Sequence, residues 1–337
     1  MAFVEINLGF DPGNGDTKVQ SGTGRYSAPS VVSVAGMGNN TISLTSEGKT
    51  ETFSCGYVSR ESSTQTVASR RGKAEQIQKL YAIALSLLPE ISVGDYAVNL
   101  VCSSPYYGTA DQTLFRQELS KDLVLQTPTK KAKVKTNVIA VEQEGWGIVR
   151  AKSFKTISGS VIKNMNRGGV KVVELGCGTV NTSFYVDGSL VDFKTDHHGV
   201  WSLAEIVAKL AAAEYHTAFE AYEVLQAIRS PKTMKNCDGY DLTSIYKQAV
   251  GMWRDRGLAN VLADALQSAE GCPVIWAGGG MLLPGLGKGL LKKHKNFYCP
   301  ERASDPEFAK YAHVEGLHNA SIRNIDKGID SAHTRVA

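Results

Sequence analysis

The chain has 337 residues, of which 42% are hydrophobic and 21% charged, proportions typical of a globular protein of about two domains. It lacks the run of about 18 apolar residues that a transmembrane helix needs, and its beginning shows no signal-peptide pattern. The formal net charge of +4 is too small to indicate nucleic-acid binding by itself.

The six cysteines lie far apart and form no C-x-x-C pair. Their spacing therefore favours neither a metal site nor a disulfide framework. With no export signal, we expect a cytoplasmic protein whose thiols are reduced and mostly buried. The cysteines are Cys55, Cys102, Cys177, Cys237, Cys272 and Cys299.

The first predicted element is a β-hairpin. The run "VEINLGF" alternates as a strand does, "DPGNGD" supplies the Asx-Gly pairs of a hairpin turn, and "TKVQSG" continues as a second strand. Residues 25–60 follow as predicted short strands, and residues 61–73 as an exposed polar loop. Apolar residues over 77–88 recur at helical spacing, and Pro89 ends this predicted helix.

A buried strand is predicted over residues 95–105 and a helix over 109–120. Residues 128–151 pass from a basic stretch through a strand into a predicted helix that acidic residues open. The basic stretch is either a nucleic-acid patch or, as we favour, a strand edge protected by lysines. Its lysines are Lys130, Lys131, Lys133 and Lys135.

Residues 170–194 repeat the strand–turn–strand pattern of residues 3–20, which predicts two similar halves with a boundary in 157–169. Helices are predicted at 201–213, 217–229 and 242–267. The apolar "PVIWA" then leads into three glycines, and the polar C-terminal end is expected to fray. Strands that alternate with helices indicate the α/β class.

Three Gly-rich turns are the candidate functional segments. Each one alone is a common tight turn, so the indication comes from their combination. A nucleoside triphosphate needs backbone N–H groups at its phosphates, which glycine permits because no Cβ blocks the approach. It also needs carboxylates that hold Mg²⁺, usually through water. Two hairpins could supply both, and a third turn at a helix N-terminus could pack on the nucleoside.

The three turns together resemble the nucleotide motifs of the actin-like ATPase superfamily. "FDPGNGDTKV" resembles its first phosphate loop, "VVELGCGTVNTSF" its second phosphate loop and "VIWAGGGMLL" its adenosine motif, in the same order over essentially the full length. Within the superfamily, "AVNLVCSSPYYGTADQTLFRQEL" and "DPEFAKYAHVEGLHNA" are most similar to the bacterial ParM/StbA plasmid-segregation actins.

The resemblance implies an actin-like (ribonuclease H-like) α/β fold of two domains with a nucleotide cleft between them. Domain I would span residues 1–160 and domain II residues 161–310. Residues 311–337 would return to domain I and end in a disordered tail. The implied cofactors are ATP or ADP and Mg²⁺.

The resemblance also assigns roles in the first half of the chain. Asp11 would orient Mg²⁺ through water, the alternative being an Asx-turn cap, and Lys18 would reach the phosphates. Glu142 would lie in a connecting helix and polarise a water for in-line attack on the γ-phosphorus, with Glu144 as the next candidate. Close backbone amides would come from Gly13, Asn14 and Gly15.

The second loop departs from the superfamily pattern, because Glu174 stands where relatives carry Asp. The extra methylene moves the carboxylate by about 1.5 Å, so we expect metal-bound water to be held but hydrolysis to be slower. Asn181 stands where chaperone relatives carry Asp. Phosphate contacts would come from Gly176, Gly178 and Thr179. The nucleoside would be lined by Gly278, Gly279 and Gly280, the alternative being a plain tight turn.

Three functions compete on this fold. The favoured one is a filament-forming ATPase whose subunits assemble head to tail, and the ParM resemblance implies a small DNA-binding adaptor. We expect no direct DNA contact, because the chain shows no helix-turn-helix or basic arm. A small-molecule kinase is the alternative, although Glu142 is the only obvious base and little length remains for substrate-binding insertions. A chaperone-type ATPase would need a β-rich peptide-binding domain, which the sequence lacks.

Overall fold

The computed structural model describes residues 3–34, 41–55, 66–67, 73–105, 109–150, 154–156, 161–162, 168–302 and 305–326. Chain contacts divide the protein into two compact units: residues 1–147 with 313–337, and residues 148–312. Most of the loop predicted over 61–73 and of the boundary predicted over 157–169 lies outside the described residues, as does the end of the chain. Among the described helices, none has the length and apolar character that a membrane span requires.

The first unit is built on one mixed sheet. Its described strands have the order β3-β2-β1-β8-β10-β9-β5-β6-β4-β7, and β1, β8 and β10 run parallel to one another at its centre. The strands are β1 (Val4–Pro12), β2 (Asp16–Ser21), β3 (Gly24–Pro29), β4 (Val31–Val34), β5 (Thr41–Ser46), β6 (Lys49–Cys55), β7 (Thr66–Val67), β8 (Val93–Ser104), β9 (Leu123–Gln126) and β10 (Lys131–Gln143).

Two helices cover one face of this sheet, and both confirm predicted helices: α1 (Lys73–Leu87) and α2 (Thr109–Leu119). The core beneath them is apolar because alternate residues of the central strands point toward it. Phe10 of β1 packs against Tyr81 of α1 with ring centroids 5.4 Å apart. The Tyr81 hydroxyl lies 3.0 Å from that of Thr136 on β10.

The lysines of β10 do not protect a strand edge, so that prediction was wrong. The strand lies between β8 and β9, and Lys131, Lys133 and Lys135 are exposed on the sheet face opposite the core. Lys130 has a different role: its ammonium donates to the carbonyls of Ser86 and Leu88, at 2.7 and 2.6 Å. It thus satisfies carbonyls at the end of α1, as cations near helix C-termini often do.

The helix predicted after the acidic residues is also absent from residues 142–150. β10 continues through Glu142 to Gln143, a turn follows, and Ile148–Arg150 form one 3₁₀ turn. The β-branched residues that precede Glu142 favour a strand, and parallel pairing with β8 extends to Gln143. Gly145 then adopts a φ of 87°, which is not helical.

The second unit repeats the strand–turn–strand motif on a second sheet, as the sequence predicted. Its described order is β12-β11-β17-β16-β13-β14-β15. The strands are β11 (Phe154–Thr156), β12 (Val161–Ile162), β13 (Gly169–Leu175), β14 (Val180–Val186), β15 (Ser189–Asp196), β16 (Val274–Ala277) and β17 (Phe297–Cys299). Antiparallel β13, β14 and β15 correspond to antiparallel β1, β2 and β3.

The helices of the second unit include the three predicted segments and two further short helices, α5 and α8, that the sequence did not predict. The helix predicted over 242–267 is two helices, α6 and α7. They separate at Gly257 and Leu258, whose amides both donate to the carbonyl of Trp253, at 2.7 and 3.1 Å. The helices are α3 (Val200–Tyr215), α4 (Ala221–Ala227), α5 (Pro231–Met234), α6 (Thr243–Arg256), α7 (Ala259–Ala269) and α8 (Leu286–Leu291).

The last helix, α9 (Phe308–Asp326), begins in the second unit and continues in the first. In the first unit it passes directly over β1. A Cβ at Gly9 would collide with the backbone of Val314 and His318, so only glycine permits this approach. Burial lowers the pKa of the His318 imidazole, with an opposing contribution from the charge of Glu90.

Candidate functional site

The first loop is a tight hairpin closed by an ion pair. Strand β1 ends at Pro12 and β2 begins at Asp16, which leaves residues 13–15 as the turn, and Asp11 pairs with Lys18. The Lys18 ammonium lies 2.6 Å from Oδ2 of Asp11, and the two side chains are only 11% and 3% exposed. An Asp carboxylate so deeply buried requires a partner of this kind.

Two buried hydroxyl groups fix this loop further, and the sequence had not indicated either of them. Ser103, at the end of β8, donates to Oδ1 of Asp11 at 3.2 Å. Ser30 donates through its hydroxyl to the carbonyl of Gly13 at 2.5 Å and through its amide to that of Gly15 at 3.0 Å. The loop carbonyls are thereby turned inward toward Ser30.

Glu142 lies at the same edge of the sheet as Asp11. Strands β1, β8 and β10 are parallel, so their carboxyl ends meet at one edge, where α/β sheets usually bind ligands. Glu142 pairs in register with Ser103, and it is Ser103 that bonds Asp11. The structure thus brings Asp11, Lys18 and Glu142 to one edge within the first unit. Glu144 is buried, and its amide donates to the carbonyl of Ser104 at 3.1 Å.

The charge of Glu142 also acts on the buried thiol of Cys102, on the neighbouring strand β8. Burial raises the pKa of Cys102 to about 12, while the charge of Arg116 lowers it and that of Glu142 raises it. The thiol therefore stays protonated at neutral pH. A carboxylate that acts on Cys102 lies close to the carboxyl end of β8.

The second loop connects β13 to β14, which pair Glu174 with Asn181. The amide of Gly176 donates to the carbonyl of Thr179 at 3.0 Å and closes the turn. The first amides of α3 donate to loop carbonyls: Val200 to Gly176 at 3.0 Å, and Trp201 to Cys177 at 2.7 Å. Since helix N-terminal amides are the usual anion-binding groups and these are already used, a phosphate here would bind amides of the loop itself.

Gly199 makes the contact between this loop and α3 possible, although it was not among the predicted site residues. It precedes the first residue of α3, and its amide donates to the carbonyl of Gly178 at 3.4 Å. A Cβ at this position would collide with the carbonyl of Cys177 and lie 2.6 Å from the backbone of Gly178. A glycine directly before a strongly helical segment was the available signal.

The three glycines of the third turn lie beside the second loop but have different environments. β16 runs parallel to β13 and pairs Ala277 with Glu174, so both turns leave the same edge of the sheet. Gly278 has a φ of 93°, which favours glycine. Gly280 is buried against Leu175, whereas Gly279 is exposed. Gly279 is therefore the most accessible of the three to a ligand.

Each loop, taken by itself, carries one carboxylate at its strand end: Asp11 in the first unit and Glu174 in the second. A carboxylate of this kind could hold Mg²⁺, which binds through one or two carboxylates and keeps several waters. The described residues contain no group of three or more His, Cys, Asp or Glu side chains that could hold a metal. A metal cage made only of protein ligands is therefore absent from that part of the chain.

No model of a protein family matches this sequence, and no curated protein matches it either. Solved structures are similar to it. Bacillus thuringiensis ParM with ADP gives a TM-score of 0.69 at 16% identity, over 95% of this chain and 99% of that one. The same protein with ATP gives 0.70 at 16% identity, again over 95% and 99%. A 15-stranded ParM filament from Clostridium botulinum gives 0.68 at 14% identity, over 96% and 100%.

The chain therefore has an actin-like α/β fold, which confirms the fold class predicted from the sequence. The similarity extends over almost the whole chain and is to ParM structures in each case. The fold is accordingly of the ParM type, as the resemblance in the sequence motifs had predicted.

Proposed function

We propose that this protein binds and hydrolyses ATP and assembles head to tail into filaments. The observation that carries the proposal is the buried Asp11–Lys18 pair at the edge of the first sheet, with Glu142 two strands away. The fold supports it, because structures of similar fold include ParM with ADP, ParM with ATP and a ParM filament.

In this proposal both phosphate loops serve one nucleotide, which rests on the resemblance to actin-like ATPases. Asp11 and Glu174 hold Mg²⁺ through water, and the metal neutralises phosphate charge. Lys18 contacts the phosphates while it remains close to Asp11. Backbone amides would come from Gly13, Asn14, Gly15, Gly176 and Gly178, a hydroxyl from Thr179, and the nucleoside contacts from Gly278, Gly279 and Gly280.

Hydrolysis needs a water in line with the bond from the γ-phosphorus to ADP. We assign Glu142 to accept a hydrogen bond from that water and orient it. The water oxygen bonds to phosphorus as the bond to ADP breaks, and the products are ADP and inorganic phosphate. Glu142 is half-buried, so it is shielded from bulk water yet accessible to a bound one.

Assembly follows if the ATP-bound subunit has two different, complementary faces. Such a heterologous contact repeats without closing and gives a helical polymer. We further propose that a small DNA-binding adaptor links the filament to its cargo in plasmid segregation, and that the protein acts in the cytoplasm. A chromosomally encoded cytoskeletal role is equally compatible with filament assembly.

Calorimetry tests the proposed nucleotide binding, and sedimentation tests the proposed filament assembly. Wild-type protein should bind MgATP, and Asp11→Asn should lose the Mg²⁺-dependent part of the affinity. Asp122→Asn is the matched control, because Asp122 is an exposed carboxylate of the same unit, and it should bind normally. Wild-type protein should also pellet when ATP and Mg²⁺ are added.

Unchanged MgATP binding by Asp11→Asn would contradict the assigned site. A wild-type protein that stays monomeric at high concentration with MgATP would contradict assembly. If that monomeric protein released ADP only in the presence of a sugar or an acid, the small-molecule kinase would replace the filament protein.

A further inference from the structure

Strand β10 contains a β-bulge near its carboxyl end. Val138 pairs with Leu100 of β8, but Ala140 pairs with Val101, the very next residue of that strand. Ile139 is therefore an extra residue with no counterpart on β8. Bulges of this kind re-aim side chains and are common beside active sites.

The bulge reverses which side chains of β10 face the core. Before it, the even-numbered residues from 132 to 138 are buried beneath the helices. After it, the buried side chains are the odd-numbered Val141 and Gln143, while Glu142 is half-buried. Because side chains alternate along a strand with a period of two, one inserted residue exchanges the two faces.

The bulge therefore determines which residue of β10 points to the same face of the sheet as Asp11. Glu142 pairs with Ser103, whose hydroxyl bonds Asp11, and paired residues of adjacent strands point to the same face. In a regular strand of the same sequence, Val141 would pair with Ser103, and Glu142 would pair with Ser104 on the face of the helices. The apolar Val141 could not orient a water.

Side chains of α2 hold the bulge in place. The guanidinium of Arg116 donates to the carbonyl of Val138 and, at 3.3 Å, to that of Ile139. Gln112 donates to the carbonyl of Val141 at 3.1 Å. A bulge removes backbone groups from the strand ladder, and the fork of an arginine can satisfy two carbonyls at once.

We propose that Arg116 is a positioning residue for ATP hydrolysis: it stabilises the bulge that puts Glu142 on the face of Asp11. The inference rests on the proposed function, in which Glu142 orients the attacking water. Arg116 itself lies on α2, among the helices on the opposite face of the sheet, and acts only through the backbone of β10.

The kinetic test separates nucleotide binding from hydrolysis. Arg116→Ala should bind MgATP within about twofold of wild type and release phosphate at least tenfold more slowly. In a Glu142→Ala background, Arg116→Ala should cause no further loss of phosphate release, because both changes remove the same function, which is the orientation of the attacking water by Glu142. Gln117→Ala is the matched control: Gln117 is the next residue of the same helix and is exposed, and its variant should hydrolyse ATP normally.

A deletion provides the rescue. Removing Ile139 makes the strand regular while Glu142 keeps Ser103 as its partner, so the bulge no longer needs Arg116. The double variant, Arg116→Ala with Ile139 deleted, should recover most of the phosphate release that Arg116→Ala loses. No recovery, or an additive loss with Glu142→Ala, would overturn the positioning role. If Arg116→Ala fails to fold, Arg116→Lys retains the charge without the fork and should still slow release at least threefold.

Crystal structures give a result that does not depend on hydrolysis. In Arg116→Ala we expect Val141 opposite Ser103, and in Gln117→Ala we expect Glu142 there. If Glu142 keeps its place in Arg116→Ala, the inference is wrong whatever the protein does with ATP. If the pairing shifts but Glu142→Ala hydrolyses ATP at the wild-type rate, the bulge role of Arg116 holds and the catalytic assignment of Glu142 is the part that fails.

Discussion

Replacing Lys18 with Met should destabilise the first hairpin by a predictable amount. The change removes the Lys18 ammonium from the Asp11 carboxylate, which is only 3% exposed and also accepts a hydrogen bond from Ser103. Removing one partner of a buried ion pair costs about 3 to 5 kcal/mol, because the remaining charge is uncompensated. Replacing both partners with neutral groups of similar shape costs much less. Lys18→Met combined with Asp11→Asn should therefore be within about 1 kcal/mol of wild type.

Amide hydrogen exchange read by mass spectrometry can measure this locally, on peptides that cover β1 and β2. A loss of about 3 kcal/mol corresponds to exchange faster by about a hundredfold in Lys18→Met, and the double variant should return close to the wild-type rate. Peptides of β14 and β15 in the second unit serve as internal controls. Equal exchange in wild type, Lys18→Met and the double variant would show that the pair is not energetically coupled and would refute the reasoning.

Three further predictions concern turnover and the second loop. Glu142→Ala should bind MgATP and polymerise but release phosphate at least tenfold more slowly, a loss of about 1.4 kcal/mol in transition-state stabilisation, and its filaments should outlast wild-type ones after nucleotide removal. Glu174→Asp should preserve MgATP binding in calorimetry and preserve or raise phosphate release; loss of the fold would instead indicate a structural role for Glu174. Gly199→Ala should weaken MgATP binding and lower the melting temperature, because its methyl group would displace the second loop; Gly251→Ala, where a Cβ has open space, should do neither.

The sequence was sufficient for features that depend on local pattern. Strand patterns and Gly-rich turns predicted the two equivalent hairpins, and helical spacing predicted α1. Both hairpins were found in the predicted segments because turn chemistry and strand period act within a few residues. The three Gly-rich turns could be located for the same reason.

The predictions were wrong where residues distant in sequence determine the local structure. The lysines of β10 look like edge protection until the strand order puts β9 beside them. The segment around Glu142 looks like a helix opening, but pairing with β8 keeps it extended. Ser30 and Ser103 have no local signature, since their importance comes from hydrogen bonds to the first loop and to Asp11 across the fold.

The passage of α9 over β1 has a consequence for the order of folding during translation. β1 leaves the ribosome before the second unit, whereas the part of α9 that packs on Gly9 leaves it after the second unit. Contacts between such distant segments form slowly because the loop that joins them is long. The second unit is continuous in sequence, so it can fold while the first still lacks a helix. The first unit therefore lacks the helix that packs on Gly9 until the second unit has been made, and the sheet face that carries Asp11 stays uncovered at Gly9 until this part of α9 leaves the ribosome.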